Sequence, residues 1–134
     1  MKRFKAQANN RGALKVIFCG ALFSVVLLLA LSLAFAFIAG FTKDPASMSG
    51  IFSTLSLLIT GAICGFSVSK YKGEGGTLAA ALSSLLFVLV LILAALIING
   101  GRLAPATLIN YLCHIAVAVL FSFAGRQRKK SYRR

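Results

Sequence analysis

The chain reads as an all-α polytopic membrane protein: four transmembrane helices arranged as two tandem hairpins, with both termini in the cytoplasm. Three observations predict this. Of the 17 charged residues, 15 are Lys or Arg, and they cluster outside four long apolar stretches. Hydrophobic residues make up 59% of the 134, and the mean hydropathy is +0.91; a soluble domain of this size could not hide so much apolar surface. Each stretch is also long enough for a spanning helix, which needs about 20 residues, and none alternates apolar with polar as a membrane strand would. An ionised side chain at the bilayer centre costs about 2.5–3.5 kcal/mol, so the charge-free stretches are the natural spans.

Residues 1–15 form a basic cytoplasmic segment. Span one covers about 16–41. At the rise of an α-helix it would reach about 39 Å, longer than the hydrocarbon core, so it must tilt or protrude. Basic residues ahead of an apolar run, with Ala34-Phe35-Ala36, imitate a cleavable signal peptide. The run continues to Phe41, past the length of a signal core, which predicts a retained span. In the loop that follows, Asp44 can cap the next helix and Pro45 suits its first turn, where a missing N–H does no harm. Span two covers 48–68. The loop at 69–76 is polar and glycine-rich, and Thr77 is the expected cap of span three, at 78–98. Asn99-Gly100-Gly101 ends that helix, Pro105 opens span four at 106–125, and residues 126–134 form a basic tail.

Orientation follows from the bases. Lys2, Arg3, Lys5, Arg11 and Lys15, then Lys70 and Lys72, then Arg126, Arg128, Lys129, Lys130, Arg133 and Arg134 fall on one side, against Lys43 and Arg102 on the other. The positive-inside rule places the crowded side in the cytoplasm. These bases flank spans and do not line a folded basic face, so a nucleic-acid partner is not expected despite the net charge of +13. Lys15, Lys70, Lys72, Arg126 and Arg128 are instead expected to meet anionic lipid headgroups, at about 1 kcal/mol for each base near the surface.

A shift of 60 residues aligns Gly40 with Gly100 and Pro45-Ala46 with Pro105-Ala106, which superimposes the bends of the two hairpins. Chance and shared hairpin grammar explain this adequately; a true repeat would place a pseudo-twofold axis along the membrane normal.

Two constellations stand out. His114 lies near the middle of span four, with Asn110 four residues earlier on the same face, and Ala106, Ala118 and Ser122 extend that face. A polar group there should point into the bundle. It is either a proton- or ion-responsive site or, on the blander reading, a neutral histidine bonded to Asn110, Ser53, Ser56 or Thr60. Span two carries Gly61-x-x-x-Gly65, with Thr54 and Gly50 roughly continuing the small face, a pattern that lets membrane helices approach closely within one chain or between copies in a homo-oligomer. Ala79, Ala80, Ala81, Ser83 and Ser84 make the start of span three similarly small, so spans two and three should pack there. Cys19, Cys64 and Cys113 show no metal-ligand or CxxC spacing and read as packing residues.

Catalysis has little to work with. Asp44 and Glu74 are the only carboxylates and fall on opposite sides, and no phosphate loop, metal set or cofactor motif is present. The expectation is a non-enzymatic accessory or assembly partner; the alternative is a subunit of a small oligomeric pore or transporter with Asn110 and His114 on a polar face. Small multidrug transporters have a similar size but use a Glu in their first span, which this chain lacks. Gly65-Phe66-Ser67-Val68-Ser69-Lys70-Tyr71-Lys72-Gly73, then Gly76 and the Ala/Ser-rich segment through Leu86, resemble a family of small four-span membrane proteins of unknown function from Gram-positive bacteria. Span four has less glycine than that resemblance leads one to expect. The resemblance implies the four-span topology and a bacterial cytoplasmic membrane, and it brings no catalytic residue.

Overall fold

A computed structural model of the chain describes residues 2–72 and 75–131, with side chains described for 12–72 and 75–125. It consists of four helices: α1 (Lys2–Ala39), α2 (Pro45–Lys72), α3 (Gly76–Ile98) and α4 (Pro105–Ser131). Within them lie four segments long and apolar enough to cross a membrane, Gly12–Ala39, Pro45–Lys72, Gly76–Ile98 and Pro105–Gly125. The described residues contain no strand.

The helices outrun the expected spans at both chain ends. α1 begins within the basic segment and α4 continues into the basic tail. Lys, Arg, Gln and Ala are good helix formers, and no proline lies between them and the apolar spans, so the weak helix formers Asn9, Asn10, Gly12 and Gly125 are carried within the helices. α1 instead ends slightly early, where Phe41 N–H bonds to Ile38 C=O and Thr42 N–H to Ala39 C=O, tightening the last turn before Pro45.

The start of α3 corrects one expectation. Thr77 is not its cap. Gly75 holds that position in the left-handed region (φ 70°), without a side-chain cap, and the helix begins at Gly76. Gly76 lies so close to α2 that a Cβ would stand 2.9 Å from the Ser69 Cα and from its carbonyl oxygen. The tight turn draws the helix start back beyond Thr77, whose hydroxyl is left buried and unpartnered. At the far end of α3, Gly100 and Gly101 both take positive φ and Gly101 N–H returns to Leu96 C=O, a glycine-dependent stop.

α2 is the central element, touching α1, α3 and α4, and its contact with α4 is the most extensive in the bundle. α1 and α4 share no contact among the described residues. A pseudo-twofold repeat would make that pair equivalent to α2 and α3, which do meet, so twofold symmetry does not hold throughout. The short Gly75-Gly76 turn ties α2 to α3, and no such turn ties α4 to α1.

The core has two parts. Ala21, Leu57, Phe87, Val88 and Tyr111 form one apolar group. Cys64, Val68, Ala79 and Ala80 form the other, with Val16 and Ile17 of α1 against it. The small start of α3 therefore packs on α2, as its composition predicts, and α1 joins them through Gly20, whose missing Cβ would meet Ser83 Oγ and Val68 Cγ2. Around these groups Ser24, Ser56, Thr60, Ser69, Ser83, Ser84 and Ser122 are also buried. Several turn their hydroxyl protons onto carbonyls of their own helices, as Thr60 does to Ser56 at 2.7 Å, and this lets them sit in an apolar interior.

Candidate functional site: the α2–α4 seam

The seam joins two stripes of four-residue period. Leu57, Gly61, Gly65 and Ser69 line α2; Asn110, His114, Ala118 and Ser122 line α4. The contacts Thr54–Asn110, Leu57–His114, Gly65–Ala118 and Ser69–Ser122 advance together, so the two helices run in the same direction.

His114 is fully buried. Its Nδ1 lies 2.7 Å from the backbone oxygen of Leu57. A carbonyl can only accept, so Nδ1 carries the proton and, in the neutral ring, Nε2 is a bare acceptor. Nε2 is buried with no partner, and the Phe87 ring of α3 packs on the imidazole at a centroid distance of 5.0 Å. The expected partners of His114 are thus replaced by a backbone group. Gly61 makes this possible. In a regular helix the Leu57 carbonyl already accepts from the Gly61 N–H. Without a Cβ at 61 the carbonyl's flank is open, and an added Cβ would stand 3.0 Å from Nδ1 and 2.9 Å from the His114 carbonyl oxygen.

Asn110 is half-buried and does not reach His114; its Nδ2 donates to Thr54 Oγ1 at 3.3 Å. Gly65 packs directly on the backbone of Ala118, whose Cα would lie 2.9 Å from a Cβ at 65. Ser69 Oγ donates to the Ser122 carbonyl at 2.7 Å, and Gly125 closes the seam against Phe66. Of the residues expected on these faces, Ala106 and Gly50 are exposed.

Sequence reasoning missed Ser69, Gly20, Gly76 and Gly125 as points of close approach. Ser69 was legible in principle, since it continues the step from Gly61 to Gly65. The three glycines had no signal, because each depends on which other helix comes near.

The expected headgroup contacts lie at helix ends. Lys15 and Lys70 are exposed, Lys72 is half-buried, and the Lys70 ammonium sits 6.0 Å from the Phe66 ring centroid. The side chains of Arg126 and Arg128, and Glu74, lie outside the described residues. Cys64 is buried near the Gly20 carbonyl (3.7 Å) and Ser83 Oγ (3.8 Å), whereas Cys19 and Cys113 are exposed and no cysteine is bonded to another. Among the described residues no three His, Cys, Asp or Glu side chains are placed to hold a metal ion.

Against known proteins, the chain matches no family model, no curated protein and no solved structure.

Proposed function

We propose that this chain is a non-enzymatic multi-pass protein of a bacterial cytoplasmic membrane, akin to the small four-span family it resembles, and that it serves as an accessory or assembly partner of a larger membrane complex or of another copy of itself. In this reading it threads as two tandem hairpins with both termini cytoplasmic, its juxtamembrane bases on anionic headgroups. One observation carries the proposal. The side chains best equipped to form a site, Asn110 and His114, are engaged in holding α4 against α2. Polar groups so used stabilise a bundle by about 0.6 kcal/mol each on average and leave the lipid-facing surface as the region free for a partner.

The test is extraction of the tagged chain, at native abundance and in a gentle detergent, after brief crosslinking in cells. A membrane protein recovered in fixed stoichiometry, or a defined homo-oligomer, is the expected result. A chain recovered alone, with no crosslinked species, overturns the proposal.

The unpartnered Nε2 of His114 favours a second reading, a small pore or transporter subunit, since a buried acceptor is where a proton or ion would pause. Flux in proteoliposomes that disappears in His114→Ala would replace the first reading with this one. Absence of flux from the intact protein would remove it.

A further inference from the structure

α1 packs against the bundle only along part of its length. Among its described side chains the buried residues are Gly20, Ala21 and Ser24, and none after Ser24 is buried. Farther along, Phe35 of α1 stacks on Phe52 of α2 with ring centroids 5.0 Å apart and planes 10° from parallel. A lateral cleft of about 590 Å³ lies between α1 and α2, with Leu91 of α3 and Tyr111 of α4 also lining it. It lies within the spans, so its natural occupants are those a bilayer supplies.

The walls decide between water and hydrocarbon. Four serines line the cleft, and all but Ser53 turn the proton onto their own helix: Ser32 to Leu28 O at 2.7 Å, Ser49 to Ala46 O at 2.8 Å and Ser56 to Phe52 O at 2.8 Å. A trapped water needs two to four polar partners, and a polar solute needs donors aimed at it. The remaining lining is largely aliphatic and aromatic. Charge at the rim adds the second half of the identification. Gly40 and Pro45 both line the cleft, and the turn between them carries exposed Lys43 beside exposed Asp44; the flexible four-carbon stem of Lys43 lets its ammonium extend to a lipid phosphate beyond the reach of the short Asp44 side chain.

We propose that this cleft seats one hydrocarbon chain of an anionic phospholipid, with Lys43 beside its phosphate. The seat requires a chain embedded in a bilayer, and it does not depend on which side the termini face.

The experiment uses the full chain in phosphatidylcholine nanodiscs doped with a lipid carrying a photoreactive diazirine in its acyl tail, either phosphatidylglycerol or phosphatidylcholine. Adducts are mapped by mass spectrometry after irradiation. Adducts should concentrate around Phe35 and Phe52, several-fold more with the phosphatidylglycerol probe. Ser53→Phe, which fills the cleft from α2, should lower cleft adducts several-fold while labelling at the exposed Leu120 and Phe121 persists. Ala36→Phe, filling it from the α1 wall, gives the same reading if the first variant fails to fold. Lys43→Gln should bring the two headgroups level. Adducts spread evenly over exposed residues, cleft labelling unchanged by both filling variants, or crosslinks only to a second copy would each overturn the proposal. Loss of labelling at Leu120 and Phe121 in the intact chain would instead count against membrane embedding itself.

Discussion

His114 joins two helices through a single proton, and the geometry separates that role from its bulk. Its Nδ1 reaches the Leu57 carbonyl while the rest of the ring packs beside Phe87. Asn carries an amide nitrogen near the Nδ1 position, so His114→Asn should keep the bond, whereas His114→Ala loses bond and ring together. The expected penalty of the alanine variant is about 0.6 kcal/mol for the bond plus about 2–5 kcal/mol for a cavity that the close packing around Gly61 cannot collapse. Reversible unfolding of the two variants in bicelles measures the difference, and equal stabilities would show that the Leu57 bond contributes nothing. The partner of His114 was not legible in the sequence because a backbone carbonyl has no letter; only its exposure by Gly61 gives it away. A second residue-scale outcome concerns thiols. Cys19 and Cys113 are exposed and Cys64 is enclosed by Gly20 and Ser83. In mild detergent a small maleimide should therefore modify the first two, and modify Cys64 only after denaturation. Fast labelling of Cys64 in the folded chain, read by peptide mapping, would show that the three-helix contact is open.

At the scale of the helix, the four-residue stripes carry the α2–α4 seam. The α4 stripe was readable, since Asn110, His114, Ala118 and Ser122 are small or polar in an apolar background and repeat at the spacing of one helix face. The α2 stripe was readable only in part. Gly50, Gly61 and Gly65 look alike as letters, yet nothing lies within 4 Å of a Cβ added at 50, while the Ala118 backbone blocks one at 65. Which glycines matter depends on where α4 crosses, and that is set by the whole bundle. The contrast is testable by alanine substitution. Gly65→Ala forces two backbones apart and should cost about 1–3 kcal/mol, the range of overpacked cores. Gly50→Ala meets open space and should be neutral or stabilise by up to about 1 kcal/mol through helix propensity. Comparable losses at both positions, measured by thermal unfolding in detergent, would mean that α2 does not pack on α4 through this face. Gly61→Ala should fall between, and its effect should couple with His114→Asn because both act on the Leu57 carbonyl.

For the whole molecule, charge and packing bear on different questions. Four apolar helices emerge from periodicity and length alone, and the structure has them at nearly the expected positions. Their arrangement does not emerge so easily. A true repeat at the 60-residue shift would make the two hairpins equivalent, but α2 meets α3 while α1 and α4 share no contact among the described residues. Gly76 holds the start of α3 directly against Ser69 of α2, and among the described residues α4 makes no such approach to α1. Packing is also silent on orientation, because a bundle has the same contacts whichever way it is threaded. Only the bases break that tie, through the preference of Lys and Arg in short loops for the cytoplasmic side. Two of the 15 Lys and Arg residues, Lys43 and Arg102, sit in the connections opposite Lys70 and Lys72. In a chain whose native cysteines are replaced by serine, a single Lys43→Cys should react with a membrane-impermeant maleimide in intact cells. A single Lys70→Cys should react only after permeabilisation. The reverse pattern would invert the topology, and labelling of both sites in intact cells would mean that the chain inserts in two orientations despite its charge bias. The lipid seat proposed between α1 and α2 survives either result, because it depends on the cleft itself and on Lys43 in the turn beside it, whichever leaflet that turn faces.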